Sequence, residues 1–205
     1  MLFLDELAEF PRPVCGALRQ PIEDGEVTVV RSAASVRFPA RFSLVAAANP
    51  CPCGHLGGSL HACRCGAEDL RRYARRLSGP ILDRIDLCVH MDRVTAEQLE
   101  AAEGAEPSAA VRARVHAARA VQQARAGSEN ARLPVAALGE LCAPTLGARR
   151  LLAAAVDRLG LTARGYHRAL RVARTIADLA GSDRVAEHDV REALSLRLAG
   201  GEERP

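Results

Sequence analysis

The chain has 205 residues and an apolar content of 48%, enough for one or two small domains with packed cores. Its net charge of +3 excludes nucleic-acid binding driven by bulk electrostatics, so any such contact must come from a local patch. No run of about 18 uninterrupted apolar residues occurs and no basic, signal-like segment opens the chain, so the expectation is a cytoplasmic protein with no membrane contact.

The apolar run MLFL ends at Asp5 and Glu6, which predicts a buried strand with acids at its C-terminal end. Val14, Leu18 and Ile22 have a helical spacing that Pro21 interrupts. Glu26 to Arg31 alternates toward a turn and Ser35 to Phe38 returns, predicting a hairpin with Arg31 near its tip. Phe42 to Ala48 predicts a second buried strand closing on Asn49, and Leu87 to Met91 a third. Between these last two lie a Gly- and Cys-rich loop and a basic helix near Asp69 to Leu77. The stretch AAEGAEPS around Gly104 reads as a linker, with a boundary near Pro107 and Ser108 as the N-cap of the next helix. Beyond it the pattern is helical: Val111, Val115 and Ala118 share one face, as do Leu152, Ala155, Val156 and Leu159. Pro134 and Pro144 stand where helices would start, Gly160 and Gly181 where they would stop. The expected organisation is an α/β region over residues 1–95 and an all-helical bundle over residues 108–200.

LFLDEL has the form of a Walker B segment, an apolar strand that delivers a carboxylate pair. Asp5 would hold Mg²⁺ through water and Glu6 would polarise the attacking water; the plainer alternative is an exposed acidic turn. All 28 basic residues other than histidine are arginine, whereas a G-x-x-x-x-G-K-[ST] loop needs its lysine on the phosphates, so this chain cannot cradle ATP by itself. The seven cysteines sit in a helix-rich sequence, where free thiols or metal ligands are favoured over a disulfide framework. Cys51-Pro52-Cys53 and Cys63-Arg64-Cys65 form two C-x-C pairs across a short loop, and such thiolates can close tetrahedrally around a structural Zn²⁺. His55 and His61 are alternative ligands, and a redox-sensitive or metal-free loop is the competing reading. Cys15, Cys88 and Cys142 read as ordinary small apolar residues.

Taken in order, LFLDELAEFPRPV, SVRFPARF, AAANPCPCG, CRC, RLSGPILDRIDL and ARGYHRALRVARTIADL resemble consecutive blocks of the ComM/YifB family of magnesium-chelatase-like AAA+ ATPases, and together they span most of the chain. The resemblance implies an α/β fold comprising the distal half of a P-loop AAA+ core, followed by an all-helical C-terminal lid. It implies that Asn49 acts as sensor 1, placing water against the γ-phosphate. Arg84 would be an arginine finger reaching a neighbouring subunit's nucleotide. Arg164 would be sensor 2, with Arg171 as the second candidate, and the hairpin would point into a central pore where Arg31 touches DNA phosphates. Each residue also has a plain reading: Asn49 a turn former before Pro50, Arg84 a surface cation paired with Asp83 or Asp86, Arg31 an exposed turn arginine, and Arg164, Arg168 and Arg171 a solvated basic face. Arg71, Arg72, Arg75 and Arg76 add charge with only Tyr73 as a nearby aromatic, so they carry no sequence-reading signal.

The expected function is therefore part of an ATP-driven hexameric ring that remodels DNA, as in branch migration during natural transformation. ATP and Mg²⁺ would be its cofactors, Zn²⁺ would sit on the cysteines, and further copies of the chain and DNA would be its partners. The alternatives are a non-hydrolysing DNA-binding or assembly module, and a chelatase-type subunit inserting Mg²⁺ into a porphyrin, which fits the cysteine loop less well.

Overall fold

The computed structural model describes residues 1–31, 34–58, 61–77, 82–100 and 106–198, which group into two units, Met1–Ile85 and one that starts at Asp86. In the first unit, strand β1 (Leu2–Leu4) leads through a 3₁₀ turn (Leu7–Glu9) into helices α1 (Arg12–Ala17) and α2 (Arg19–Asp24). The helical run through Val14, Leu18 and Ile22 breaks between Ala17 and Arg19, as expected of Pro21, which has no amide to give the Ala17 carbonyl. Pro21 itself lies in the first turn of α2, where backbone amides have no intrahelical acceptor and proline costs nothing. Gly25 ends α2 with φ +69°, a left-handed conformation that side chains disfavour, and its amide donates to the Pro21 carbonyl at 2.9 Å.

Strands β2 (Glu26–Arg31) and β3 (Ala34–Pro39) then form the expected hairpin, in register from Glu26 opposite Pro39 to Arg31 opposite Ala34. Strand β4 (Leu44–Ala46) returns to β1 and pairs with it in parallel, Leu2 opposite Leu44 and Leu4 opposite Ala46. Helix α3 (Ala67–Leu77) and a 3₁₀ turn (Leu82–Arg84) complete the unit. The two apolar strand segments are less enclosed than their sequences predict, because each has a single neighbour: Phe3 is 58% exposed and Val45 44%. The predicted strand at Leu87 to Met91 does not form. Its residues are extended but outside any ladder, and the Cys88 amide donates instead to the Leu196 carbonyl at 2.7 Å.

The second unit is helical: α4 (Ala96–Glu100), α5 (Ser108–Ala126), α6 (Leu138–Leu141), α7 (Leu146–Leu159), α8 (Ala163–Leu179) and α9 (Glu187–Leu198). Ser108 is the first helical residue of α5 rather than its cap, since Pro107 in front of it already holds the extended backbone a cap needs. Thr145 and Thr162 cap α7 and α8, accepting hydrogen bonds from the amides of Ala148 and Gly165. One core joins the bundle, with Leu138, Leu152, Leu170, Ala173, Ala177 and Val190 at its centre. Val111 and Val115 are each 38% exposed, so the predicted apolar face of α5 is buried only from Ala118 onward. Inside the bundle Arg174 is fully buried. It pairs with Asp178 and donates to the carbonyls of Cys142, Asp183 and Ser182, while Asn130 and Arg125 also reach Asp178. Partners on every side make that charge tolerable. Among the described residues no helix is long and apolar enough to cross a membrane.

Candidate functional site

Parallel pairing dictates the first part of the site. Because β1 and β4 run side by side in the same direction, the residues that leave their carboxyl ends emerge together: Asp5 and Glu6 from β1, Ala47 to Asn49 from β4. Backbone bonds tie the two exits, Ala47 donating to the Leu4 carbonyl and Leu7 to the Ala47 carbonyl, both at 2.9 Å. Ligands of open α/β sheets bind at this edge. Asp5 and Glu6 are both exposed. Glu6 adopts φ 50°, ψ 45°, a left-handed conformation costing a non-glycine residue about 1–2 kcal/mol, and its amide donates to the Asp5 carboxylate at 2.9 Å. Asn49 is exposed, and its carbonyl accepts a hydrogen bond from the Tyr73 hydroxyl on α3 at 2.9 Å. Tyr73 is 7% exposed, and desolvation, followed by the Glu9 charge, raises its phenol pKa. A carboxylate pair and an asparagine are suited to a hydrated Mg²⁺ and a water, but no lysine exists in the chain to hold phosphates beside them.

The arginines have distinct surroundings. Arg84 ends its 3₁₀ turn with a side chain 12% exposed and pairs with Glu23 of α2 at 2.6 Å. Arg31 is exposed at the end of β2; residues 32–33, where the hairpin turns, lie outside the described residues. On α3 the basic cluster is matched by acids: Arg71 and Arg75 contact Glu68, Arg72 contacts Asp69, and Arg76 contacts Glu9. In the second unit Arg164 is exposed in the first turn of α8. Arg168 pairs with Asp86 at 2.7 Å, and desolvation lowers its pKa. Arg171 donates through Nε and Nη2 to the Leu133 carbonyl at 3.2 and 2.7 Å, which anchors it to the bundle.

The cysteine loop brings four sulfurs together. The Sγ atoms of Cys51, Cys53, Cys63 and Cys65 all lie within 4.8 Å of one another. Cys51–Cys53, Cys51–Cys63 and Cys53–Cys63 are separated by 3.4, 3.7 and 3.6 Å. A tetrahedral site with Zn–S bonds of about 2.3 Å has S···S edges of about 3.8 Å, so the quartet has nearly the size of a tetrathiolate zinc centre. His55 and His61 stand outside that group and pack edge-on against each other, ring centroids 5.3 Å apart. Amides of Arg64 and His55 hydrogen-bond the Cys53 sulfur and hold its pKa at about 6, so one thiolate is ready at neutral pH. Desolvation pushes Cys65 up to about 12. At Cys63 the Cys65 amide pulls the pKa down, but desolvation and the neighbouring Cys53 and Cys51 sulfurs outweigh it and raise the thiol. A cleft of about 440 Å³ between the loop and α3, bordered by Cys53, Cys65, Arg64 and Arg72, leaves a path for an ion to enter.

Two family models cover most of this sequence: magnesium chelatase, subunit ChlI, over residues 1–99, and the C-terminal region of the same subunit over residues 105–197. Competence protein ComM of Haemophilus influenzae is 43% identical over 198 residues, and YifB of Escherichia coli is 42% identical over 198; each match covers 96% of this chain. The chain belongs to the ComM/YifB family of magnesium-chelatase-like proteins. An uncharacterized protein of Mycobacterium tuberculosis is 43% identical over 204 residues. The chain spans only 38–40% of the length of these curated relatives. The mixed α/β architecture described above, with small sheets and a helical C-terminal region, is compatible with a magnesium-chelatase-like fold. Sequence reasoning missed two residues at the site. Tyr73 and Glu23, the partners of Asn49 and Arg84, are each far from them along the chain, and neither carries a motif of its own.

Proposed function

We propose that this chain supplies the water-activating edge, the arginine finger and the lid of an ATP-driven, ring-forming AAA+ motor that remodels DNA in the cytoplasm, in the setting of competence. The observation that carries the reading is the parallel pairing of β1 with β4, which gathers Asp5, Glu6 and Asn49 at one sheet edge. Asp5 would hold Mg²⁺, Glu6 and Asn49 would orient water, Arg84 would serve a neighbouring copy's nucleotide, and Arg164, with Arg171 as the less available second candidate, would close the lid. Arg31 on the hairpin would meet DNA phosphates. In the same reading ATP and Mg²⁺ are the cofactors, and the cysteine quartet takes a structural Zn²⁺. The name of the Haemophilus relative is what suggests competence.

Because these 205 residues contain no lysine, the phosphate cradle would have to come from residues outside this sequence. The chain alone is expected to hydrolyse ATP no faster than background. Adding a segment that carries a lysine-bearing phosphate loop of a ComM/YifB protein should restore turnover, and Arg84→Ala should then lower it by roughly 10³-fold or more. Full turnover in that variant would remove Arg84 from the reaction. Failure of every such pairing, together with retained DNA binding, would favour the second reading, a non-hydrolysing DNA-binding or assembly module.

A further inference from the structure

The cysteine loop leaves β4 and comes back to it. Cys51 follows Asn49 by two residues, Cys65 precedes the start of α3 by two, and α3 returns Tyr73 to the Asn49 carbonyl. Asn49, Cys51, Cys65 and Tyr73 thus lie on one circuit that lacks a single link, the one between the sulfurs. Among the loop's described residues the other contacts are local: the Gly54 and Gly58 amides donate to the Cys51 and His55 carbonyls, and His55 packs against His61. A side chain at Gly54 or Gly57 would meet nothing within 4 Å, and both glycines have positive φ, so the chain here turns through open space rather than against a packed core. The exception is Cys51, fully buried, whose sulfur also receives the Leu56 amide at 3.3 Å.

We propose that a Zn²⁺ bound by Cys51, Cys53, Cys63 and Cys65 closes this circuit and thereby fixes the Asn49 peptide at the end of β4, making the quartet a positioning device for the sensor asparagine. The inference rests on the zinc reading of the quartet. Four thiolates fill all positions of a tetrahedral ion, so the metal has no open site for chemistry and acts through geometry. Pinning Cys51 to Cys65 restricts both ends of the Asn49–Tyr73 hydrogen bond. Freed from the metal, the loop between the two cysteine pairs gains conformations and the Asn49 carbonyl loses its fixed donor.

Asn49 and Asn130 are the only asparagines in the sequence, one in each unit. Carbon-13 labelling of asparagine backbone carbonyls therefore gives two resonances, with Asn130 as an internal reference. The reduced chain prepared with zinc should carry about one ion, and Co²⁺ in its place should show thiolate charge-transfer bands and tetrahedral d–d bands. Chelation under reducing conditions should move or broaden the Asn49 resonance and leave Asn130 unchanged. Tyr73→Phe in the metal-loaded chain should move Asn49 as well, with the metal retained. If neither chelation nor Tyr73→Phe alters Asn49 while the metal binds, the positioning role is overturned and the zinc site stands. Failure to take up either Zn²⁺ or Co²⁺ in reduced protein overturns the zinc reading and this inference with it.

Discussion

Cys142 shows how a single side chain can tie the helical unit's stability to pH. It is fully buried, and desolvation lifts its thiol from 9.0 to about 11 against the pull of Arg174 and Arg125. An acid with a raised native pKa keeps a proton that the unfolded chain gives up. Its contribution is therefore whole below about pH 9 and is lost as pH climbs toward about 11, on the order of 1–3 kcal/mol. Thermal melts of the helical unit between those limits should show falling stability, and Cys142→Ala should flatten the slope. A variant curve as steep as the parent's would assign the loss to another group. At this scale the sequence is only partly legible. Asp5, Glu6 and Asn49 were readable because each ends an apolar run, and the four clustered cysteines because of their spacing. Arg174 was not: four residues before Asp178 it reads as a surface ion pair, and only packing of the other helices shows that both are buried.

Elements whose signals are local were legible, and those that depend on a distant partner were not. The hairpin declared itself through alternation, α7 through Pro144 just ahead of its start, and α7 and α8 through Gly160 and Gly181 at or just beyond their ends; the caps Thr145 and Thr162 were seen only in the structure. Leu87 to Met91 has the composition of a strand, yet a strand exists only through its ladder, and no described segment pairs with it. Pro21, in contrast, is a local signal: it announces a break, and the helix parts at Leu18 because proline has no amide to give the Ala17 carbonyl, with Pro21 itself in the first turn of the second helix. The cap of α8 matters for the site because that helix carries Arg164, Arg168 and Arg171. Thr162→Ala leaves the Gly165 amide without its acceptor and should cost about 1 kcal/mol, measured by denaturant unfolding of the helical unit, whereas Thr162→Ser should be nearly neutral. Equal losses in the two variants would mean that the methyl packing of Thr162, not its hydroxyl, supports the helix.

At the scale of the molecule the two units differ in how they are held together, and that difference predicts their dynamics. The helical unit has one continuous core in which Leu133, Leu138, Leu152, Val185 and Val190 are nearly or wholly excluded from water. The first unit rests on two sheets of two strands each, a form marginally stable at best without further cover. Several of its large apolar residues are left in water: Val30 is 73% exposed, Phe3 58% and Phe38 52%. Each backbone group left buried without a partner costs about 1–3 kcal/mol, against a domain stability of about 5–15 kcal/mol, so a few such groups decide whether the sheet persists. Helices α7, α8 and α9 are held by the core of their own unit. Hydrogen exchange of the intact chain should therefore be slow across these helices and fast across Met1–Ile85, with the metal-loaded segment from Cys51 to Leu56 as a local exception. Addition of a phosphate-loop segment that completes the sheet should slow exchange at β1 and β4 while leaving α8 unchanged. Slow exchange throughout a monomer before any such addition would mean that the first unit closes its sheet by itself, and would remove the physical reason for expecting residues outside this sequence to complete it.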